Sequence, residues 1–242
     1  MVFSSLIFVF LFLPFVLTGN FLLSFSKKWQ NSFLMGVSLV FYAWGEPRFV
    51  IIMMASIIWN WGMALWMDSC QRESVRNAIL GIALTGDTGI LLVFKYLNFL
   101  STIASRLLNT ELSVLQLPLP IGISFFTFQG LSYVIDVWRR DAKAEKNMVN
   151  VGLYISFFPQ LIAGPIVRYL DIKEELANRM CTWRDMETGI ARFLTGFSKK
   201  VLLANNLAFF ADQAFSLNAE PGGVNTIFAW GGYFSVHTAD IL

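Results

Sequence analysis

Residues 158–169 read FPQLIAGPIVRY, and they concentrate residue types that a plain apolar helix has no use for. Pro159 and Pro165 each remove a backbone donor, Gly164 beside Pro165 loosens the helix, and carbonyls near both prolines lose their normal partners. Gln160 and Arg168 stand one side chain from those breaks, placed to satisfy freed carbonyls or to meet a polar ligand. Broken backbone at membrane depth is tolerated only where it is buried in protein or lines a wet cavity. The motif therefore reads as a cavity wall or as a strained helix junction. Gln129, in the stretch PIGISFFTFQGLSYVIDVWRR, is a second candidate for lining a polar path, while Gly122, Ser124, Thr127, Gly130 and Ser132 around it suit close helix packing. Asp87 is either a functional acid inside a span or a helix-end residue beside a cation such as Lys95, eight positions on.

Other chemistries leave no trace. There is no phosphate-cradling glycine loop, no Gly-x-Ser-x-Gly elbow, no His-Glu-x-x-His and no pair of carboxylates spaced for a cleft. A base working at neutral pH is most naturally histidine, and the chain has only His237, which lies five residues from its end with nothing to orient it. No catalytic role is assigned to it. Cys70 and Cys181 lack metal-ligand spacing, so no metal site and no disulfide framework are expected. A net charge of +2 gives no footprint for nucleic acid.

The elements that must position these residues follow from composition. Charged residues make up 14% of the 242 positions and hydrophobic ones 56%, with a mean hydropathy of +0.59; soluble domains carry about 25% charge. The expected fold is a single all-α, polytopic membrane bundle. A crossing needs roughly 20 apolar residues. Candidate segments run from Phe3 to Phe25, Ser32 to Trp44 (short, hence tilted or re-entrant), Phe49 to Met67, Ala78 to Leu97, Ile121 to Trp138 and Val149 to Tyr169. Another begins near Val224, giving about six or seven in all, and Trp183 to Leu217 has the spacing of an amphipathic helix at the membrane surface. With the N-terminus outside, Lys27, Lys28, Arg72, Arg76, Arg139, Arg140, Lys143 and Lys146 gather on the cytoplasmic side.

Several stretches in order, MVFSS, SLVFYAWGEPRF, FKYLNF, LPLPIGISFFTFQGLSYVIDVWRRD, FFPQLIAGPIVRY and GFSKKVLLANNLAFFAD, resemble the membrane-bound O-acyltransferase (MBOAT) family, most closely its bacterial polysaccharide branch. The resemblance covers about residues 1–230 and implies a multi-helix enzyme of the bacterial inner membrane, in which the N-terminus placed outside by the charge distribution is periplasmic. Such an enzyme passes an acyl group, in the alginate branch acetyl, across the bilayer to hydroxyls of an envelope polysaccharide. It implies acetyl-CoA as a cytoplasmic acyl source with no resident cofactor, periplasmic polysaccharide-acetylation proteins as partners, and a passage lined by Gln129, Gln160, Gly164, Pro165 and Arg168. The family's histidine lies in its later half, beyond Leu242, and the tail at 231–242, GGYFSVHTADIL, departs from the family pattern. The chain is thus expected to be the N-terminal half of an acyltransferase, truncated or frameshifted and inactive alone. A transporter with broken helices and a non-catalytic assembly subunit of an envelope-polymer system are the alternatives.

Overall fold

The structure, a computed structural model, describes residues 5–97, 99, 103, 105, 118–161, 164, 167–179, 182–209 and 211. Helices and turns account for the regular structure, and no strand occurs among the described residues. The chain divides into two compact units, one of Leu13–Arg179 with Met1, the other of Val2–Phe12 with Met180–Leu242.

The first unit contains α1 (Leu13–Leu22), α2 (Lys27–Gly45), α3 (Val50–Ser69), α4 (Glu73–Leu91, continued by a π turn to Tyr96), α5 (Ile123–Trp138), α6 (Met148–Ser156), the single turn α7 (Phe158–Leu161) and α8 (Tyr169–Asn178). At its centre α3 packs on α4, α5 and α6, while α2 covers α6 and α8 lies over α2, α5 and α6. The residues facing inward explain this arrangement. Along α4 the buried positions are Arg76, Ile79, Ala83 and Asp87, a single stripe at helical spacing. The opposite faces remain apolar: Ile51, Ile58 and Trp66 of α3 and Ile82 of α4 are exposed. Ser38, Ser56, Asn60 and Thr127, by contrast, are fully buried. This distribution suits lipid, where small and polar residues bring helices together and large apolar ones face outward. Both α3 and α4 with its π turn are long and apolar enough to cross a membrane.

Close approach depends on glycine at one position above all. A Cβ on Gly130 of α5 would stand 2.6 Å from Asn60 Nδ2 of α3, so a hydrogen at this position lets the two helices meet around the asparagine.

Two expectations about segment lengths need correction. The second segment is not short: α2 begins five residues before Ser32 and spans 19 residues, roughly 28 Å at the helical rise. Its polar first turns stay helical because tertiary partners satisfy them. Gln30 Nε2 donates to the Asn20 carbonyl at 2.8 Å, and Asn31 Nδ2 donates to the Leu176 carbonyl at 3.0 Å.

The sixth segment, expected to run from Val149 to Tyr169, does not cross as one helix. Asn31 Nδ2 lies within hydrogen-bond distance of Asn150 Oδ1, at the start of α6, and of the Leu176 carbonyl, near the end of α8. The chain therefore goes in along α6, turns, and returns to the end where it entered. Pro159 and Gly164 stand at that turn.

The same end of the unit collects the basic residues. Arg76 Nη1 donates to Met67 O at 2.8 Å, and its Nη2 donates to Val137 O at 2.8 Å and Trp138 O at 2.9 Å. One guanidinium thus satisfies terminal carbonyls of both α3 and α5, where the helix dipoles favour positive charge. Lys27 Nζ donates to the Arg179 carbonyl and to Gln30 Oε1, and Arg179 Nη2 donates to Asn31 Oδ1 at 2.7 Å.

The second unit contains a π turn at Phe8–Phe12 and α9 (Trp183–Lys199), continued by a π turn at Lys200–Ala204. α9 opens with a capping box, in which Asp185 N donates to Thr182 Oγ1 while Thr182 N and Oγ1 donate to Asp185 Oδ2. Met186, Ile190, Phe193, Leu194 and Phe197 recur along it at helical spacing, in keeping with the amphipathic reading. The remainder of that stretch beyond residue 211, the segment near Val224, His237 and the tail lie outside the described residues.

Candidate functional site

The turn of the hairpin is held by partners drawn from other helices. α6 spans nine residues, about 13 Å from the basic end, or nearly halfway through a hydrocarbon core about 30 Å thick. There the regular hydrogen bonding stops. Pro159 has no N–H for the carbonyl four residues before it, and Phe157 takes φ −55°, ψ 111°, outside the helical well. Phe158 N donates instead to Ser38 Oγ of α2 at 3.3 Å, and Ser38 Oγ donates to Leu34 O at 2.7 Å. The Tyr154 carbonyl accepts from Gln129 Nε2 of α5 at 3.0 Å. Two side chains from flanking helices thus serve the donor and the acceptor that an unbroken helix would pair with each other.

Beyond the break, α7 is a single turn. Gln160 N and Leu161 N both donate to the Phe157 carbonyl, and Gly164 N donates to the Gln160 carbonyl at 3.1 Å. A Cβ on Gly164 would lie 2.7 Å from Gln160 Cα and 2.9 Å from its carbonyl oxygen. Both are backbone atoms, so this position requires glycine. Gly122, with φ +77°, caps the start of α5 against the same turn; a Cβ there would sit 3.4 Å from the Leu161 carbonyl.

The returning limb of the hairpin is tied down by tyrosines. Tyr154 OH donates to the Val167 carbonyl at 2.8 Å, so Tyr154 fixes both sides of the turn, one with its carbonyl and one with its hydroxyl. Its ring meets that of Tyr169 edge-on at 5.4 Å, and Tyr169 meets Tyr133 at 4.8 Å. Tyr169 OH donates to Glu145 Oε2 at 3.2 Å, and Tyr133 OH accepts from Glu145 N at 2.9 Å. Glu145 belongs to the loop joining α5 to α6, and Trp61 Nε1 of α3 donates to its carbonyl. The three buried rings and this loop form the base on which the broken turn stands.

Of the residues singled out from sequence, Gln129, Gln160 and Gly164 come together around the break. Gln129 reaches it from 30 residues away and is 2% exposed. Arg168 does not join them. It is exposed at the N-cap of α8, at the basic end, where its charge acts on Asp136 of α5. Pro165 lies outside the described residues. Asp87 is not a helix-end residue paired with Lys95: it is wholly buried against Asn60, while Lys95 Nζ lies 5.6 Å from the Tyr96 ring centroid. Ser38, Tyr154 and Asn60 escaped the sequence reading. A polar residue embedded in a long apolar run, as in GVSLVF and IIWNWG, is the signal that marks two of them.

Among the described residues no group of three or more histidine, cysteine or acidic side chains could hold a metal. What these residues build is a stretch of irregular backbone whose hydrogen bonds are met by side chains of flanking helices. The chain as a whole is similar to several O-acetyltransferases. Over 224 residues, 90% of this chain, it is 37% identical to the probable alginate O-acetylase of Pseudomonas putida, and 38% identical to that of Pseudomonas aeruginosa over the same extent. The chain is similar to the alginate O-acetylases. It is also 29% identical to the peptidoglycan O-acetyltransferase of Helicobacter pylori over 89% of its length. These matches bear out the resemblance drawn from the ordered motifs. The chain spans about half the length of the curated relatives it matches, 45%, 42% and 46% of the three. No family model and no solved structure matches it.

Proposed function

We propose that this chain forms part of a membrane O-acetyltransferase that passes acetyl groups across the bacterial inner membrane to hydroxyls of an envelope polysaccharide such as alginate. The observation that carries the reading is the identity of 36–38% to alginate O-acetylases over 90% of the chain. The basic end of the first unit is taken as cytoplasmic and the N-terminus as periplasmic, by the retention of Lys and Arg in short cytoplasmic loops. Six or seven apolar segments then span or enter the membrane, with α6 to α8 as a re-entrant hairpin from the cytoplasmic side.

In this scheme the broken turn forms one wall of the acyl passage. Gln129, Gln160, Gly164 and Pro165 shape it, and Arg168 stands at its cytoplasmic mouth, suited to the phosphates of a donor such as acetyl-CoA. This chain's own contribution is positional. Irregular backbone is held open to a polar path without orphaning its hydrogen bonds, and water is excluded by the packed tyrosines below. Proton transfer from the acceptor hydroxyl falls to the histidine base of the family's later half, not to His237. Periplasmic polysaccharide-acetylation proteins receive the acetyl group or complete its transfer.

The test is complementation. The full-length protein is placed in a strain lacking its alginate O-acetylase, and acetyl esters in the secreted polymer are measured. Restored esters support the proposal. Protein present in the inner membrane at the abundance of the native acetylase, with no ester on alginate, refutes this acceptor; esters on peptidoglycan instead would reassign it.

A further inference from the structure

The remaining polar cluster buried in the bundle lies away from the hairpin turn. Asp87 sits 11 residues beyond Arg76 on α4, roughly 16 Å from the basic end and close to the middle of a bilayer core about 30 Å thick. It is wholly buried. Asn60 Nδ2 donates to Asp87 Oδ1 at 3.2 Å and to the Ser56 carbonyl at 3.0 Å. The other oxygens of both groups, Asp87 Oδ2 and Asn60 Oδ1, are buried without a hydrogen-bond partner.

Among the described residues no cation neutralises the carboxyl. α3 meets it with Asn60, which also bonds Ser56, and Trp59 lies against the neighbouring Gly86; the titratable group of that helix, Asp68, lies two turns beyond Asn60. α5 closes on Asn60 with Gly130, and its titratable groups, Tyr133 and Asp136, lie further towards the basic end. On α4 itself Arg76 is committed to three carbonyls, and Lys95, in the π turn that follows, lies by Tyr96. An isolated carboxylate in such a place carries a cost of several kcal/mol, which a single proton removes. The same proton resolves both orphans, because an acid O–H has a donor to offer and the Asn60 oxygen lacks one.

We propose that Asp87 and Asn60 form a proton-binding site at the α3–α4–α5 junction, a neutral carboxylic acid–amide pair in which Asp87 Oδ2–H donates to Asn60 Oδ1 while Asn60 Nδ2–H donates to Asp87 Oδ1. The glycine at 130 is part of the site, since a methyl group there would occupy the position of the Asn60 amide. The proton is held in place rather than relayed, and the pair locks three helices without burying a charge.

Infrared absorption of the full-length protein in lipid vesicles at neutral pH tests this directly. The difference between wild type and Asp87→Asn should contain a hydrogen-bonded carboxylic acid C=O band that shifts in D2O and is lost in the variant. Asn60→Ala should keep the band and move it to higher frequency as the acid loses its partner, a readout that also decides the matter should Asp87→Asn fail to accumulate. Trp59→Phe should leave it in place. Absence of any acid band in wild type overturns the proposal, as does an unmoved band in Asn60→Ala. A band that appears only when sodium is replaced by a bulky organic cation would make the site one for a metal cation and overturn it equally. A shift in Trp59→Phe would assign the orphan oxygen to the indole, whose buried Nε1 is also without a partner.

Discussion

Gln129 and Ser38 replace one helical hydrogen bond between them, and this makes a quantitative prediction. In a continuous helix Phe158 N–H would donate to the Tyr154 carbonyl four residues earlier; here it donates to Ser38 Oγ, and the carbonyl accepts from Gln129 Nε2. Gln129→Met keeps the side-chain volume, so its main effect is to orphan a carbonyl of a residue that is 1% exposed. The expected cost is about 1–3 kcal/mol. Ser38→Ala orphans the Phe158 N–H at a similar cost of about 1–3 kcal/mol. In the double variant the two orphans are each other's natural partners, and α6 can extend by one bond to join them. The double variant should therefore be destabilised by less than the sum of the singles, with a coupling of about 1 kcal/mol or more. Denaturant titration of the full-length protein in detergent micelles, followed by tryptophan fluorescence, measures all four corners of the cycle. Costs that add to within about 0.5 kcal/mol would refute the idea that the two side chains stand in for one backbone bond.

The other predictions concern the basic end and the cap of α9. Arg76→Ala should cost at least about 3 kcal/mol, because three terminal carbonyls lose a charged donor, and Arg76→Lys should recover only part of this in the same titration, since an ammonium cannot span two helix ends. Arg168→Ala should reduce polymer acetylation by more than it reduces membrane abundance; equal losses in ester content and immunoblot signal would make the residue structural. The Thr182 hydroxyl and amide donate to Asp185 and hold its carboxyl below its usual range. The cap should therefore stay intact at and above the ordinary aspartate value of about 3.9 and be lost as pH falls through the lower folded-state value, seen as faster amide exchange in the first turn of α9, with Asp185→Asn insensitive to that change. Reporter fusions within the loop 139–146 should report the cytoplasm, and a periplasmic signal there would overturn the orientation.

The sequence by itself determined that the chain is helical with segments apolar enough for a membrane, where α3, α4 and α5 lie, and that regular backbone fails near Pro159. These are local or compositional consequences: apolar length sets a span, and a missing N–H breaks a helix wherever it occurs. The cap of α9 is equally local, since Thr182 and Asp185 are three residues apart. Only the tertiary structure decided which groups answer the break, because Gln129 and Ser38 come from helices 25 and 120 residues away from the atoms they serve and no spacing rule connects them. It likewise turned the sixth segment from a crossing into a hairpin. A proline and a glycine state that the helix stops, but the direction the chain then takes is set by Asn31, which binds the start of α6 and the end of α8 with one amide. Asp87 illustrates the same limit. Eight residues separate it from Lys95 in sequence, yet the face it shares with Ile79 and Ala83 turns it into the bundle towards Asn60, and burial rather than sequence distance chose its partner.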